Sequence, residues 1–255
     1  MPAARLVARL DIKAPNLVKG VQLEGLRKLG DPHAFALHYY QQGVDELLYM
    51  DIVASLYERN SLLDLVERTT ANVFVPLTVG GGLRSVADVG KALRAGADKV
   101  AINTAAIKRP QLISEVANAY GRQCMVLSIE AKRRPNGQWE AYFDNGREHT
   151  GLNAVDWAKK GCELGAGEIL LTSVDREGTA SGVDHELIQA IASQIPIPII
   201  ASGGVGQFSH IQQALDSGAQ AVAMAHVLHY KLCDLPTLRQ QGSQAGIHLR
   251  SLPRL

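Results

Sequence analysis

The feature that most constrains the fold of this chain is an internal repeat with a spacing near 120 residues. The run Leu6-Val7-Ala8-Arg9-Leu10 ends in Asp11, and the run Met125-Val126-Leu127-Ser128-Ile129 ends in Glu130. Each is a short apolar stretch that reads as a strand, closed by a carboxylate, with Lys13 or Lys132 two residues further on. Asp51 in MDIVAS matches Asp175 in SVDREG. Gly80-Gly81-Gly82 matches Ser202-Gly203-Gly204, and RAGADKVAINTA from residue 94 matches DSGAQAVAMAHV from residue 216. Such a period is too long for a solenoid, whose repeats run roughly 20–50 residues. It implies one domain made of two similar halves, with equivalent sites facing one mouth. That arrangement suits a substrate with two similar ends.

Short apolar runs alternate with helical patterns along the whole chain. Strands are expected near 5–10, 46–50, 74–79, 98–102, 124–129, 168–173, 197–202 and 220–225. Helices are expected over 32–43, 60–71, 85–95, 110–119, 153–164, 184–193, 208–217 and 234–245. Eight β/α units in 255 residues favour a closed (β/α)8 barrel, a single domain over 1–255. A doubly wound open sheet is the runner-up. It fits less well because Gly-rich loops follow several strands, where a nucleotide fingerprint would follow the first. Two connections are long. Residues 14–31 follow the first strand, and residues 131–151, with the turn signal Pro135-Asn136-Gly137, read as a hairpin after the fifth. Both leave the C-terminal ends of strands, where barrel enzymes carry their chemistry and their lids.

Composition removes several function classes. The 26 basic and 25 acidic residues leave a net charge of +1, which offers no global attraction to nucleic acid or anionic membrane. No apolar run reaches membrane length, and the N-terminus turns charged before a signal-peptide core could form, so a cytoplasmic protein is expected. Cys124, Cys162 and Cys233 are isolated and the histidines are scattered, so neither a disulfide framework nor a metal site is expected. Tyr39, Tyr40, Tyr49 and Tyr57 read as packing residues, and Arg133-Arg134 as a solvated loop tip.

Glycine lets backbone amides approach a phosphate, and helix N-termini favour anions. One Gly-rich turn would be unremarked; two at matching positions point to two phosphate sites, at Gly81-Gly82 with Asn103-Thr104 and at Gly203-Gly204. Between them, Asp11 and Glu130 at the ends of barrel strands are candidates for general acid and base. Alternation along the first strand puts Arg5, Val7, Arg9 and Asp11 on one side.

These residues resemble the cyclase subunit of imidazole glycerol phosphate synthase, of histidine biosynthesis. The resemblance rests on LDIK, LVKG, GDP, DELLYMDI, PLTVGGG, GADKVAINTAA, TGLNAVDW, GAGEILLTSVDREGT and PIIASGG, in order along nearly the whole chain. It implies a barrel with internal twofold symmetry that needs no cofactor. A glutaminase subunit docks on its bottom face and releases ammonia into the lumen. At the top, ammonia attacks a ketose-form ribonucleotide with phosphates at both ends, giving imidazole glycerol phosphate and an aminoimidazole carboxamide ribotide. By this resemblance Asp11 is the catalytic Asp, and Glu130 stands at the second catalytic position. Gly81, Gly82, Asn103 and Thr104 form one phosphate site, and Gly203, Gly204 and His226 the other. Lys19, Asp175 and Thr179 fall on substrate-binding positions. Arg5, Glu46, Lys99 and Glu168 match the charged ring that gates the bottom, and Asp98 the partner-facing Asp beside it.

The chain departs from the family at four places. Glu130 replaces Asp, Arg9 stands at a usual Cys, Glu177 replaces Asp and His226 replaces Ser. An inward Arg9 must find a carboxylate. The expectation is that Arg9 anchors the longer Glu130, occupies part of the ammonia path and favours the ionised form of both Asp11 and Glu130. The departures suggest two alternatives: a divergent subunit that channels ammonia for amidation of a surface-polysaccharide sugar, and a non-catalytic glutaminase-binding scaffold.

Overall fold

A computed structural model of the chain describes residues 3–54 and 62–250. Eight parallel strands form its centre: β1 (Arg5–Lys13), β4 (Glu46–Asp51), β5 (Leu77–Gly80), β6 (Lys99–Ile102), β7 (Met125–Arg133), β10 (Glu168–Ser173), β11 (Ile199–Ser202) and β12 (Ala221–Met224). They pair in that order round a ring, and β10 pairs with β7 as β12 pairs with β1, so no edge is left open. This is the expected (β/α)8 barrel. Each strand is buried along nearly its whole length, which follows from having a filled lumen inside and helices outside.

The period-2 alternation of each strand separates two cores. On β1, Leu6, Ala8, Leu10 and Ile12 point outward into the layer shared with the helices, while Val7 points into the lumen. The helices between strands begin where capping residues stand. Asp31 accepts from His33 N–H, Ser85 from Asp88 N–H, Asn153 from Val155 N–H and Asp184 from Leu187 N–H. Tyr39 and Tyr49 are packing residues, each 2% exposed or less. Tyr57 and Ser55 lie outside the described residues.

Two antiparallel hairpins rise from the barrel top at corresponding places in the two halves. β8 (Trp139–Phe143) and β9 (Glu148–Asn153) extend from β7, with the turn closed by the Arg134 N–H to Gln138 carbonyl bond of 2.7 Å. This is the hairpin expected from Pro135-Asn136-Gly137. The connection after β1 also holds a hairpin, β2 (Asn16–Val21) and β3 (Glu24–Gly30), where the sequence showed only a long loop. β3 is exposed or half-buried throughout, so it carries no alternation of apolar residues to betray it.

Candidate active site at the barrel mouth

The lumen is layered. At the bottom, Arg5 bonds Glu46 at 2.7 Å and also Glu168; Lys99 bonds Glu46 at 2.6 Å and Glu168 at 2.8 Å. The four side chains close a ring of alternating charge, and Thr78 Oγ1 donates to Glu46 at 2.8 Å. Mutual pairing is what makes four charges tolerable in a barrel floor, since an unpaired one would be costly. Asp98 lies exposed beside this ring and accepts from Leu77 N–H at 2.8 Å. Above the ring comes an apolar tier of Val7, Leu48, Val126, Leu170 and Ile200, all 1% exposed or less.

The polar mouth begins at Arg9, which is 3% exposed. Its Nε donates to Asp11 Oδ1 at 2.8 Å, and its Nη1 donates to Thr172 Oγ1 at 2.9 Å and Ser202 Oγ at 3.2 Å. Arg9 therefore points inward as expected but grips Asp11, and the expectation that it anchors Glu130 is corrected. Glu130 Oε2 instead accepts from the backbone N–H of Gly146 at 2.7 Å. Gly146 sits in the turn between β8 and β9 with φ +73°. The extra methylene of Glu130 carries its carboxylate up to that turn rather than down to the guanidinium.

The two carboxylates are displaced in opposite directions. Burial opposes the ionisation of Asp11, but Arg9 and Lys19 outweigh it and hold Asp11 below the usual carboxylate range. Glu130 is pushed up to about 7, chiefly by burial, with Arg9 and the Gly146 N–H offsetting only part. The expectation that Arg9 would keep both acids ionised is thus corrected for Glu130. A pair of carboxyl groups separated in this way is the usual arrangement for assigning one as acid and the other as base.

Two clefts flank the pair. The first, of about 350 Å³, is lined by Gly81, Gly82, Asn103 and Thr104 together with Arg9, Asp51 and Glu130. Arg84, Lys108 and Arg109 add positive charge to it. Sequence reasoning missed these three; Lys108-Arg109, one helical turn beyond Thr104, was the available signal. Gly81 must be glycine: its φ is +91°, and a Cβ there would lie 2.2 Å from the Asp51 carbonyl oxygen. The second cleft is lined by Lys19, Gly20, Arg27, His226 and Tyr230 among others. The Nδ1 of His226 is buried there without a partner, and burial lowers the imidazole pKa, so the ring is neutral near pH 7. Gly203 (φ +101°) and Gly204 (φ +91°) repeat the backbone of Gly81 and Gly82 (φ +91° and +73°) in the other half. Gly204 packs against the 174–182 loop, accepting from Gly182 N–H at 2.9 Å.

The structure puts Asp175 and Thr179 on that loop, outside the lining of either cleft. Asp175 is exposed and accepts from Arg133 N–H at 2.8 Å. Thr179 bonds the Arg176 carbonyl at 2.7 Å. Glu177, by contrast, is buried at 4% exposure. It pairs with Lys19, accepts from Leu23 N–H at 3.1 Å, and its carbonyl accepts from Gln22 N–H at 2.8 Å. It thereby fastens the β2–β3 hairpin over the mouth. Arg133 pairs with Glu186 at 2.7 Å and stays at the surface.

Comparison with known proteins places this arrangement. Residues 5–234 match the family described as histidine biosynthesis protein. The chain is 62% identical over 207 residues to the imidazole glycerol phosphate synthase subunit HisF of Legionella pneumophila, covering 81% of this chain and 98% of that relative. It is 48% identical to the HisF subunit of Synechococcus sp. (strain CC9311), over 99% of this chain and 98% of the relative. Against the HisF subunit of Myxococcus xanthus (strain DK1622) the figures are 47%, 99% and 100%.

Proposed function

From the premise that this chain belongs to the histidine biosynthesis protein family, we propose that it is a cyclase subunit of imidazole glycerol phosphate synthase, with Asp11 as base and Glu130 as acid. It acts in the cytoplasm as one half of a complex whose other subunit is a glutaminase. The comparisons lend no support to polysaccharide amidation or to a scaffold. The observation that carries the division of labour is the opposite displacement of the two mouth carboxylates.

Ammonia enters through the ring of Arg5, Glu46, Lys99 and Glu168, against which the glutaminase docks beside Asp98. It rises past the apolar tier and attacks the ketose carbonyl of a ribonucleotide carrying a phosphate at each end. The nitrogen must then lose protons and the carbonyl oxygen must gain them to leave as water. Asp11, ionised, accepts from the nitrogen; Glu130, still protonated near neutral pH, donates to the oxygen. Ring closure and cleavage follow, giving imidazole glycerol phosphate and the carboxamide ribotide. One phosphate is held by Gly81, Gly82, Asn103 and Thr104, with Lys108 and Arg109 as counter-charges. The other is held by Gly203, Gly204 and Lys19, and by His226 donating from its unpaired Nδ1. Asp175 and Thr179 are assigned to the substrate by family position alone, since the 174–182 loop holds them outside both clefts.

The test is turnover of the ketose-form ribonucleotide by the purified protein with a large excess of ammonium salt and no glutaminase, near neutral pH where Glu130 still holds its proton. Turnover is expected, and Asp11→Asn is expected to lower it by a factor of 100 to about 10,000. An inactive unaltered protein, or an Asp11→Asn variant as active as its parent, would contradict the reading.

A further inference from the structure

Arg9 occupies the lumen between the apolar tier and the two mouth carboxylates. Two of its three hydrogen bonds reach across the barrel. Thr172 lies on β10 and Ser202 on β11, and β12 separates β11 from β1 in the ring. Thr172 is wholly buried and Ser202 is 7% exposed, so the far end of the guanidinium is fixed inside the barrel. A buried guanidinium cannot shed its proton, and apolar residues would fill the same space without its desolvation cost. Stability alone is therefore a poor reason for it.

We propose that Arg9 is a positioning residue of the cyclase reaction, a cationic crossbar that aims Asp11 at the mouth from below and sets the charge that rising nitrogen must pass. The proposal rests on the cyclase reading given above. Neutral ammonia can accept a hydrogen bond from a guanidinium N–H as it passes. Ammonium, a donor only, meets like charge in a low-dielectric passage. The same N–H fork that screens the nitrogen fixes the carboxylate that will deprotonate it. Asp11 faces Arg9 from its own strand, Lys19 from β2, Glu130 from β7 and His229 from the helical turn after β12. Glu177 faces Arg9 from the loop after β10.

The experiment compares the unaltered protein with Arg9→Met, Arg9→Lys and the double variant Thr172→Val/Ser202→Ala. Each is assayed with the ketose ribonucleotide and ammonium across the pH range, with rates expressed per free ammonia. Arg9→Met is expected to lose about 100-fold in kcat, with little change in KM for the nucleotide. Its acid limb should move up by about one pH unit, because Asp11 loses the cation that keeps it ionised. Arg9→Lys should return the acid limb but only part of kcat, since an ammonium does not reproduce the guanidinium fork. The double variant keeps the charge but frees its far end, and should lower kcat with the acid limb in place. A purely structural role would lower the thermal midpoint and leave the acid limb alone. A folded Arg9→Met with parental kcat and acid limb overturns the proposal. If Arg9→Met does not fold, the double variant decides: lowered kcat supports the crossbar, and parental kcat overturns it. Inactivity of the unaltered protein would instead overturn the cyclase reading on which the proposal rests.

Discussion

Glu130 shows what one methylene changes. As a carboxylate at the end of a strand it was visible in the sequence, and so was its match with Asp11. Its partner was not. The Gly146 N–H belongs to a turn sixteen residues further on, and only the closed hairpin brings the two together. Parity along β1 correctly turned Arg9 inward, but parity says nothing about which of two carboxylates a long side chain will reach. The raised pKa of Glu130 has two consequences. As an acid it must hold its proton, so glutamine-fed turnover should fall as pH rises above about 7. The linkage runs the same way. A carboxyl whose folded pKa lies above its unfolded one stabilises the fold below the unfolded value, and that stabilisation is lost as pH rises through about 7. Glu130→Gln should therefore gain a few degrees of Tm on its parent between acid and mildly alkaline pH. Parallel melting curves of the two proteins across that range would refute the assignment.

At the scale of elements, the barrel strands and the helices between them were legible because each carries the period of its environment. Strands buried on both faces read as continuous apolar runs, and helices as one-sided stripes. The β2–β3 hairpin was not legible. Its outer strand buries little, and what holds it down comes from elsewhere in the chain. Glu177 binds Lys19 with one oxygen and Leu23 N–H with the other, from a loop more than 150 residues away. The Lys19 side chain is 1% exposed, so Glu177→Ala would leave a buried ammonium without its carboxylate. Removing one partner of a buried pair costs about 3–5 kcal/mol. Urea unfolding should show a loss of that order, and a change below about 1 kcal/mol would mean that the pair does not hold the hairpin.

The whole molecule is two half-barrels whose corresponding parts meet at one mouth. The 120-residue spacing announced this, and Gly81-Gly82 and Gly203-Gly204 realise it in matching left-handed backbone. The halves are not identical in use. The first cleft is ringed by Arg84, Lys108 and Arg109, while the second relies on Lys19, Arg27 and His226. Such cross-chain gathering of charge leaves little trace in a linear pattern, and this is why Arg84, Lys108, Arg109 and Arg27 escaped notice while Lys19 and His226, at family positions, did not. The bottom ring was legible through the resemblance, which named its four residues, and their mutual ion pairs explain how four charges share the barrel floor. Under the proposed function, the ring and the mouth are the two ends of one path for nitrogen.

The most direct test of that account is an isotope competition. The complex with its glutaminase is given glutamine labelled with nitrogen-15 at the amide, in a large excess of unlabelled ammonium, and the nitrogen incorporated into imidazole glycerol phosphate is measured. Delivery through the lumen predicts product carrying the glutamine label, and dilution of that label when the ring is broken by Lys99→Met. Product whose label follows the bulk ammonium in the unaltered complex would contradict it.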